Sequence, residues 1–401
     1  MSTSSLIFRR QRVILQVGYW VLKPIAWFTR RIDWVVGVEE VALTVAHLAA
    51  ALPRSHSVVH QPHAFYAVSY DTTIRRDGRL EMYRRLYGGP LTLAWLLNRA
   101  RGFVYVGGAG FLESHHDERE FEFSFVRSRG RRIVCYFTGT DIRSPKQMAE
   151  LARATGRDNI GTMLATIDPA FASDDFDEVR RRRSAVASEY ADVIFTAAED
   201  QRSYFTRPTQ PFRYFLPDDQ FVDSDEKYEE ADRVLVVHAP SNPVLKGTPA
   251  VRAAIERLQA VRDDFDYLEL TGVSNEQITA ALTKAHVVLN QFYALMPGVL
   301  GIEALAHRCV LLTSADPTIE TDLPPGAAEA WVVTGIDEIE RNLAQVLDDR
   351  ARMSEQARRG HDWAKAHASA SASSAAVREV LDPLISRSIR DRDDQSQAST
   401  R

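Results

Sequence analysis

Cysteine is scarce in this sequence, and its scarcity limits the chemistry that the chain can perform. Among 401 residues there are two cysteines, Cys135 and Cys309, and each lies inside an apolar run. Two such thiols, without the spacing of a metal-binding motif, predict a reducing compartment and no metal site. We therefore expect a cytoplasmic protein without a bound metal.

A long apolar run and an excess of positive charge are also missing. The uncharged residues 13–22 are followed by Lys23 and Pro24, so this run is far shorter than the ~20 residues of a membrane-spanning helix. No small-residue cleavage site follows it, and we expect no secretory signal. The formal net charge of −5 argues against nucleic acid as a partner.

Residues 1–31 combine aromatic side chains with arginines at both ends of the segment. Trp20, Trp27 and Phe28 are its most prominent apolar residues. One interpretation is a helix that packs on the body of the protein. The other is a segment that lies in a membrane interface and faces anionic lipid, which would place the protein at the inner face of the membrane.

From residue 32 onward, short apolar runs alternate with segments of helical periodicity. This alternation predicts an α/β protein with two Rossmann-like parallel-sheet domains facing a central cleft. The aperiodic, acidic residues 213–232 mark the boundary between them. We expect an N-terminal segment at 1–31, a first domain at 32–222, a second domain with a final helix at 223–385, and a disordered polar tail at 386–401.

The strongest candidate site follows the apolar run at residues 234–237. A polar loop separates this predicted strand from a helix that Thr248 would cap and Pro249 would begin. Helix amides and a lysine form an anion site at the carboxyl end of a parallel strand. The alternative is an ordinary strand-to-helix turn. The candidate ligand-binding residues of this loop are Ser241, Asn242, Lys246 and Gly247.

Residues 297–304 form a second candidate site, in which glycines begin a mostly apolar helix. Glu303 is its one acidic residue, and a carboxylate there could accept hydrogen bonds from both ribose hydroxyls of a nucleotide. The alternative is a solvent-exposed glutamate. Other candidates at strand ends and at this helix start are Gly272, Asn290, Gly298 and Val299.

The first domain offers weaker candidates. The predicted strand at residues 131–137 ends in a polar turn that contains Asp141 and Arg143, and ligands of parallel sheets collect at such ends. A local ion pair that fixes the loop is the alternative. His115 is a further candidate on this side.

Three motifs resemble the retaining family-four glycosyltransferases of the GT-B fold: HAPSNPVLKGT, GVLGIEALA and FTGTDIR. The resemblance implies that Lys246 meets the diphosphate of a nucleotide-sugar donor and that Glu303 holds its ribose. It also implies that Asp141 and Arg143 lie on the acceptor side, where His115 remains a separate candidate. The implied function is sugar transfer to a glycan, a lipid or a small molecule, in polysaccharide or glycoconjugate biosynthesis, without a resident cofactor.

Three positions depart from the family pattern. Leu295 stands where the family has the first of two paired glutamates, Ser241 replaces a frequent arginine, and Thr138 replaces a frequent histidine. These substitutions affect sugar recognition and catalysis, so two alternatives stay open. One is a nucleotide-sugar or glycan binding protein without turnover. The other is a nucleotide-sugar epimerase, which needs more acid and base groups than these loops contain.

Overall fold

Two parallel sheets organise the chain. The computed structural model describes residues 3–62, 68–75, 80–113, 117–229 and 232–398. Seven parallel strands form the first sheet in the order β3-β2-β1-β4-β5-β6-β7. Their bounds are β1 Ile32–Val38, β2 Ser55–Val59, β3 Thr72–Thr73, β4 Ala100–Val106, β5 Arg132–Tyr136, β6 Val193–Thr196 and β7 Gln210–Pro211.

The second sheet has five parallel strands in the order β12-β11-β10-β8-β9. It uses only residues from the second half of the chain, so each half forms its own α/β lobe. The strand bounds are β8 Val234–His238, β9 Phe265–Glu269, β10 Val287–Leu289, β11 Val310–Thr313 and β12 Val332–Val333.

Helices connect the strands and cover both faces of each sheet. Those of the first half are α1 Thr3–Ala26, α2 Thr44–Ala51, α3 Glu81–Tyr83, α4 Gly89–Leu97, α5 Glu120–Ser128, α6 Pro145–Thr155, α7 Ile160–Ile167 and α8 Asp174–Tyr190. Those of the second half are α9 Glu226–Glu229, α10 Pro243–Lys246, α11 Thr248–Gln259, α12 Asn275–Lys284, α13 Gly298–Ala306, α14 Ala327–Ala330, α15 Ile339–Asp348, α16 Arg350–Ala368 and α17 Ala370–Ala398.

Parallel strands are buried on both faces, which explains why the central strands read as continuous apolar runs. In β1 the fully buried Trp34 faces one core cluster, and Val35 faces another. Trp34 is the register partner of Gly102 in β4. A Cβ atom at residue 102 would lie 2.3 Å from the indole ring, so only glycine leaves room for this tryptophan.

The final helix returns to the first lobe. Val377, Leu381 and Ile385 of α17 belong to the core cluster that also contains Trp34 and Val104. The helix therefore covers the first sheet although it follows the second sheet in sequence. It also includes residues beyond 385, where the sequence analysis placed a polar tail. The four domain limits remain predictions.

Helix α1 packs on the first lobe through one of its faces. Leu15 and Tyr19 are buried there, and the Asn98 side chain at the end of α4 donates to the Tyr19 carbonyl at 2.9 Å. The packed-helix interpretation therefore holds for this face. In the described part of the chain, no helix combines the length and apolar character needed to cross a membrane.

The described residues between 70 and 90 form β3, α3, a π-helical turn at Arg84–Gly88 and the start of α4. A long-range contact supports this structure, because the Gln11 side chain of α1 donates to the Arg85 carbonyl at 2.7 Å. Local periodicity carries no signal for such a contact.

Candidate functional site

A cavity of about 260 Å³ lies between the two lobes, next to the carboxyl ends of their strands. The first lobe contributes the loop after β1 and the turn after β5. The second lobe contributes residues after β10 and the start of α13. The residues used below that line the cavity are Leu43, Thr138, Arg143, Asp200, Tyr214, Asn275, Gln291, Gly298, Val299 and Glu303.

Lys246 lies behind the cavity wall and is hydrogen-bonded to Gln291, which lines the cavity. It is the last residue of the short helix α10, and its ammonium donates to the Gln291 amide oxygen. The other end of that amide donates to the Met296 carbonyl at 2.5 Å. Burial lowers the pKa of Lys246 to about 8, while the nearby Asp200 acts in the opposite direction. The lysine is thus a poorly solvated cation beside the cavity wall.

The amino end of α13 forms another part of the wall. Gly298 has a φ of 71°, and its amide donates to the Tyr214 hydroxyl at 3.0 Å. Asn290 supports this turn from behind by donating to the Pro297 carbonyl at 2.5 Å. Asn290 is buried and does not line the cavity, so it positions the helix start. Gly298 and Tyr214 both line the cavity, so their hydrogen bond lies in its wall.

Glu303 lies on the cavity side of α13 and is only 9% exposed. Its carboxylate accepts from the Asn275 side chain at 3.3 Å, and burial raises its pKa. The alternative of a solvent-exposed glutamate is therefore wrong. Val299, also in the cavity wall, is 40% exposed. The sequence placed Asn275 at a helix start and gave no signal that its side chain would meet Glu303.

Arg143 and Asp200 form a buried ion pair in the wall of the first lobe. The Arg143 guanidinium donates to an Asp200 carboxylate oxygen at 2.7 Å and to the Asp200 carbonyl at 2.6 Å. The second carboxylate oxygen accepts from the Leu295 amide at 2.8 Å. Sequence reasoning missed Asp200, although its position shortly after β6 is the kind of strand end where sites form.

Asp141 holds the polar turn after β5 and does not line the cavity. Its carboxylate accepts from the backbone amides of Thr138 and Gly139, at 3.1 and 2.6 Å respectively. Burial raises its pKa. Asp141 therefore fixes the loop locally, which is the alternative to a ligand role. Its carboxylate does so by accepting from backbone amides, whereas an ion pair was expected.

Two arginines of α8 also hold this turn. Arg180 donates to the Thr140 carbonyl at 2.7 Å, and Arg183 donates to the Asp141 carbonyl and pairs with Glu118 at 2.6 Å. Four consecutive basic residues on a helix, as at 180–183, usually form a solvated face, but these two side chains bind the turn instead. The intervening arginines are exposed.

The remaining loop candidates serve local structure. Asn242 caps α10, since its side-chain oxygen accepts from the Val244 and Leu245 amides at 3.1 and 3.2 Å. At Gly247 a Cβ atom would lie 2.7 Å from Ile336, so glycine permits close packing. Neither residue lines the cavity, and neither do Ser241 and Gly272. His115 lies outside the described residues.

Thr248 does not cap α11, contrary to the prediction. Gly247, in the left-handed conformation, precedes the helix, and Thr248 is its first residue. The Thr248 hydroxyl is buried and bonds to the His238 ring at 2.9 Å. At α12 the Ser274 hydroxyl does cap the helix, because it accepts from the Gln277 amide at 3.4 Å.

Leu295 makes an apolar contact between the lobes. Its side chain packs with Met148 and Leu151 of α6. A sugar-binding carboxylate at this position would face those two apolar side chains.

These two Rossmann-like lobes, which face each other across a cleft, define the GT-B fold, which confirms the predicted fold class. Sequence comparison matches the chain to no protein-family model and to no curated protein. Similar solved structures include sucrose-phosphate synthase from Thermosynechococcus elongatus, with a TM-score of 0.60 and 12% identity over 89% of this chain and 100% of that one.

Two further structures carry nucleotides. HepE of Anabaena in complex with UDP and glucose has a TM-score of 0.56 and 11% identity over 88% of this chain and 100% of that one. The catalytic domain of starch synthase IV from Arabidopsis thaliana, bound to ADP and acarbose, has a TM-score of 0.55 and 12% identity over 89% and 100%. At such identities the likeness establishes the fold alone.

Proposed function

We propose that this protein is a glycosyltransferase that moves a sugar from a nucleotide diphosphate sugar to a glycan, lipid or small-molecule acceptor. The observation that carries the proposal is the cavity between the lobes. This cavity is lined by Gly298, Glu303 and Gln291, and the Gln291 side chain binds Lys246. HepE and starch synthase IV, which share the fold, were solved with nucleoside diphosphates.

The reaction requires stabilisation of a departing diphosphate, on which negative charge develops. Lys246 and the amino end of α13 would supply it without a metal ion. Arg143 is a buried cation of the cavity wall, and its charge is balanced by Asp200 at 2.7 Å. In a retaining reaction the leaving phosphate itself would take the acceptor's proton, so that Thr138 can replace a histidine.

A catalytically silent binding protein is the second candidate. It is favoured by Leu295, whose side chain is committed to the α6 contact. The test is incubation with UDP-glucose and with ADP-glucose, alone and with lipid or glycan extracts. Release of nucleoside diphosphate together with a glycosylated product supports the transferase, whereas tight binding without turnover supports the silent protein. An altered nucleotide sugar without an acceptor would indicate the epimerase.

Glu303→Ala is expected to weaken nucleotide binding about tenfold, because the ribose hydroxyls lose an acceptor in a buried site. Isothermal titration with UDP and ADP measures the loss. Dideoxy nucleotides, which lack both hydroxyls, should bind the native protein about as weakly as UDP binds the variant. Glu269→Ala is the control, since that carboxylate pairs with Arg252 outside the cavity. Native discrimination retained in Glu303→Ala would contradict the ribose role.

Donor binding is expected to weaken as pH rises through about 8, the pKa to which burial lowers Lys246. Below this pH the side chain is cationic and attracts the diphosphate, and above it the attraction is lost. Titrations of UDP between about pH 7.5 and 9.5 avoid the phosphate's own ionisation near pH 6. Lys246→Arg should remove the pH dependence because arginine stays charged. A pH dependence that survives this substitution would assign it to another group.

A further inference from the structure

Exposed apolar side chains are concentrated in one region of the first lobe. Of the 19 large apolar residues that are exposed in the described part of the chain, eight lie between residues 6 and 28 and five between residues 80 and 91. We call these thirteen residues the apolar face. They are Leu6, Val13, Val17, Trp20, Val21, Ile25, Trp27, Phe28, Leu80, Met82, Tyr83, Tyr87 and Leu91.

The spacing within α1 places its members on one side of the helix. Val13, Val17, Trp20 and Val21 follow the i, i+4, i+7, i+8 pattern of a single helical face. Leu15 and Tyr19, on the opposite side, are buried against the lobe. The helix is thus apolar on both sides, and packing on the lobe explains only one of them.

The two parts of the apolar face adjoin each other. A Cβ atom at Gly18 would lie 3.0 Å from the Leu91 side chain, and Gln11 bonds to the Arg85 carbonyl. Helix α1 and the segment from α3 to α4 therefore lie side by side. A continuous exposed surface of this kind marks an interaction site more often than scattered single residues do.

The charge of the α1 part of the apolar face has one sign, whereas the other part contains the exposed Glu81 beside Arg85. Residues 1–31 contain six of the chain's 49 basic residues and none of its 54 acidic residues, so a positive segment sits on a chain of net charge −5. Lys23 lies 4.9 Å from the Trp20 ring centre, and Arg31 lies 5.9 Å from that of Trp27. Aromatic rings beside cations suit the boundary between headgroups and acyl chains.

We propose that the apolar face docks the protein onto the surface of a bilayer that contains anionic lipid. The exposed side chains enter the headgroup boundary, and the arginines and lysine contact lipid phosphates. A second copy of this chain fits the same face poorly, because the six basic residues of 1–31 would meet others of the same sign, and Glu81 in the other part of the face pairs with Arg85 of its own chain. This inference is independent of the proposed sugar transfer.

Vesicle sedimentation with the full chain tests the proposal. We expect binding to vesicles of phosphatidylcholine with about 30% phosphatidylglycerol, weaker binding to pure phosphatidylcholine, and release by salt. The triple variant Val17→Ser, Trp27→Ser, Phe28→Ser should lower partitioning at least about tenfold, since each loses an apolar side chain from the interface. Arg10→Gln with Arg30→Gln should lower it on anionic vesicles only.

A matched control is Val261→Ser with Ile167→Ser, because these residues are 80% and 44% exposed and lie outside the apolar face. Thermal unfolding of every variant verifies folding. Equal binding to both vesicle types, or a control that loses binding as the triple variant does, would overturn the proposal. A dimer in sedimentation velocity that the triple variant breaks, together with no vesicle binding, would assign the face to a second copy instead.

Discussion

Lys246→Met is expected to lower the rate of sugar transfer about a hundredfold, equivalent to about 2.7 kcal/mol of transition-state stabilisation. Methionine keeps the length and apolar stem of the side chain but removes the charge. The native ammonium is held by Gln291 beside the cavity and is poorly solvated. A charge in such a place acts strongly on a departing diphosphate, because little water screens it. Initial rates with saturating donor measure the effect.

Lys365→Met is the matched control for this variant. Lys365 is a half-exposed lysine whose ammonium pairs with Asp223 at 3.2 Å on the surface, and its loss should leave the rate unchanged. Full turnover in Lys246→Met would remove the lysine from the mechanism. A loss of affinity for UDP without a change in maximal rate would show that the cation holds the ground state and the transition state equally.

The sequence predicted the fold and part of the site because both depend on local patterns. Buried parallel strands such as β5 appear in the sequence as short apolar runs. The apolar neighbours of Glu303 favoured a buried carboxylate. Glu303 lines the cavity, and Lys246 binds Gln291, which also lines it. Lys246 follows β8 and Glu303 follows β10, and these neighbouring parallel strands have their carboxyl ends at the same edge of the sheet.

Contacts between the lobes were not predictable in the same way. Asp200 bonds to both Arg143 and the Leu295 amide, and Leu295 packs on α6. These contacts join residues about 60 to 150 positions apart, and no periodicity records them. The same limit applies to α17, whose apolar residues indicate a packed helix without indicating which lobe receives it. Pairing across a cleft is decided by the shapes of both lobes together.

Glu320→Leu is expected to reduce the free energy of unfolding by about 3–5 kcal/mol, because one carboxylate joins the lobes. Glu320 is fully buried and follows β11 of the second sheet. Its oxygens accept from the amides of Ala198, Glu199 and Asp200, at 3.1, 2.9 and 2.7 Å, in the loop after β6 of the first sheet. Leucine would leave these amides without acceptors, at a cost of about 1–3 kcal/mol for each buried donor.

Urea denaturation compares this variant with Glu355→Leu, which removes a half-exposed glutamate paired with Arg359 and should change stability by less than about 0.5 kcal/mol. Burial raises the pKa of Glu320 to about 7, while the bonded amides favour its ionised form. Glu320→Gln keeps one acceptor oxygen and should lose less free energy of unfolding than Glu320→Leu does.

If all three variants unfold at the same urea concentration as the native chain, the carboxylate does not hold the lobes together. If Glu320→Leu alone is destabilised and also loses nucleotide binding, the loop that carries Asp200, and with it Arg143, depends on this contact for its place in the cavity wall.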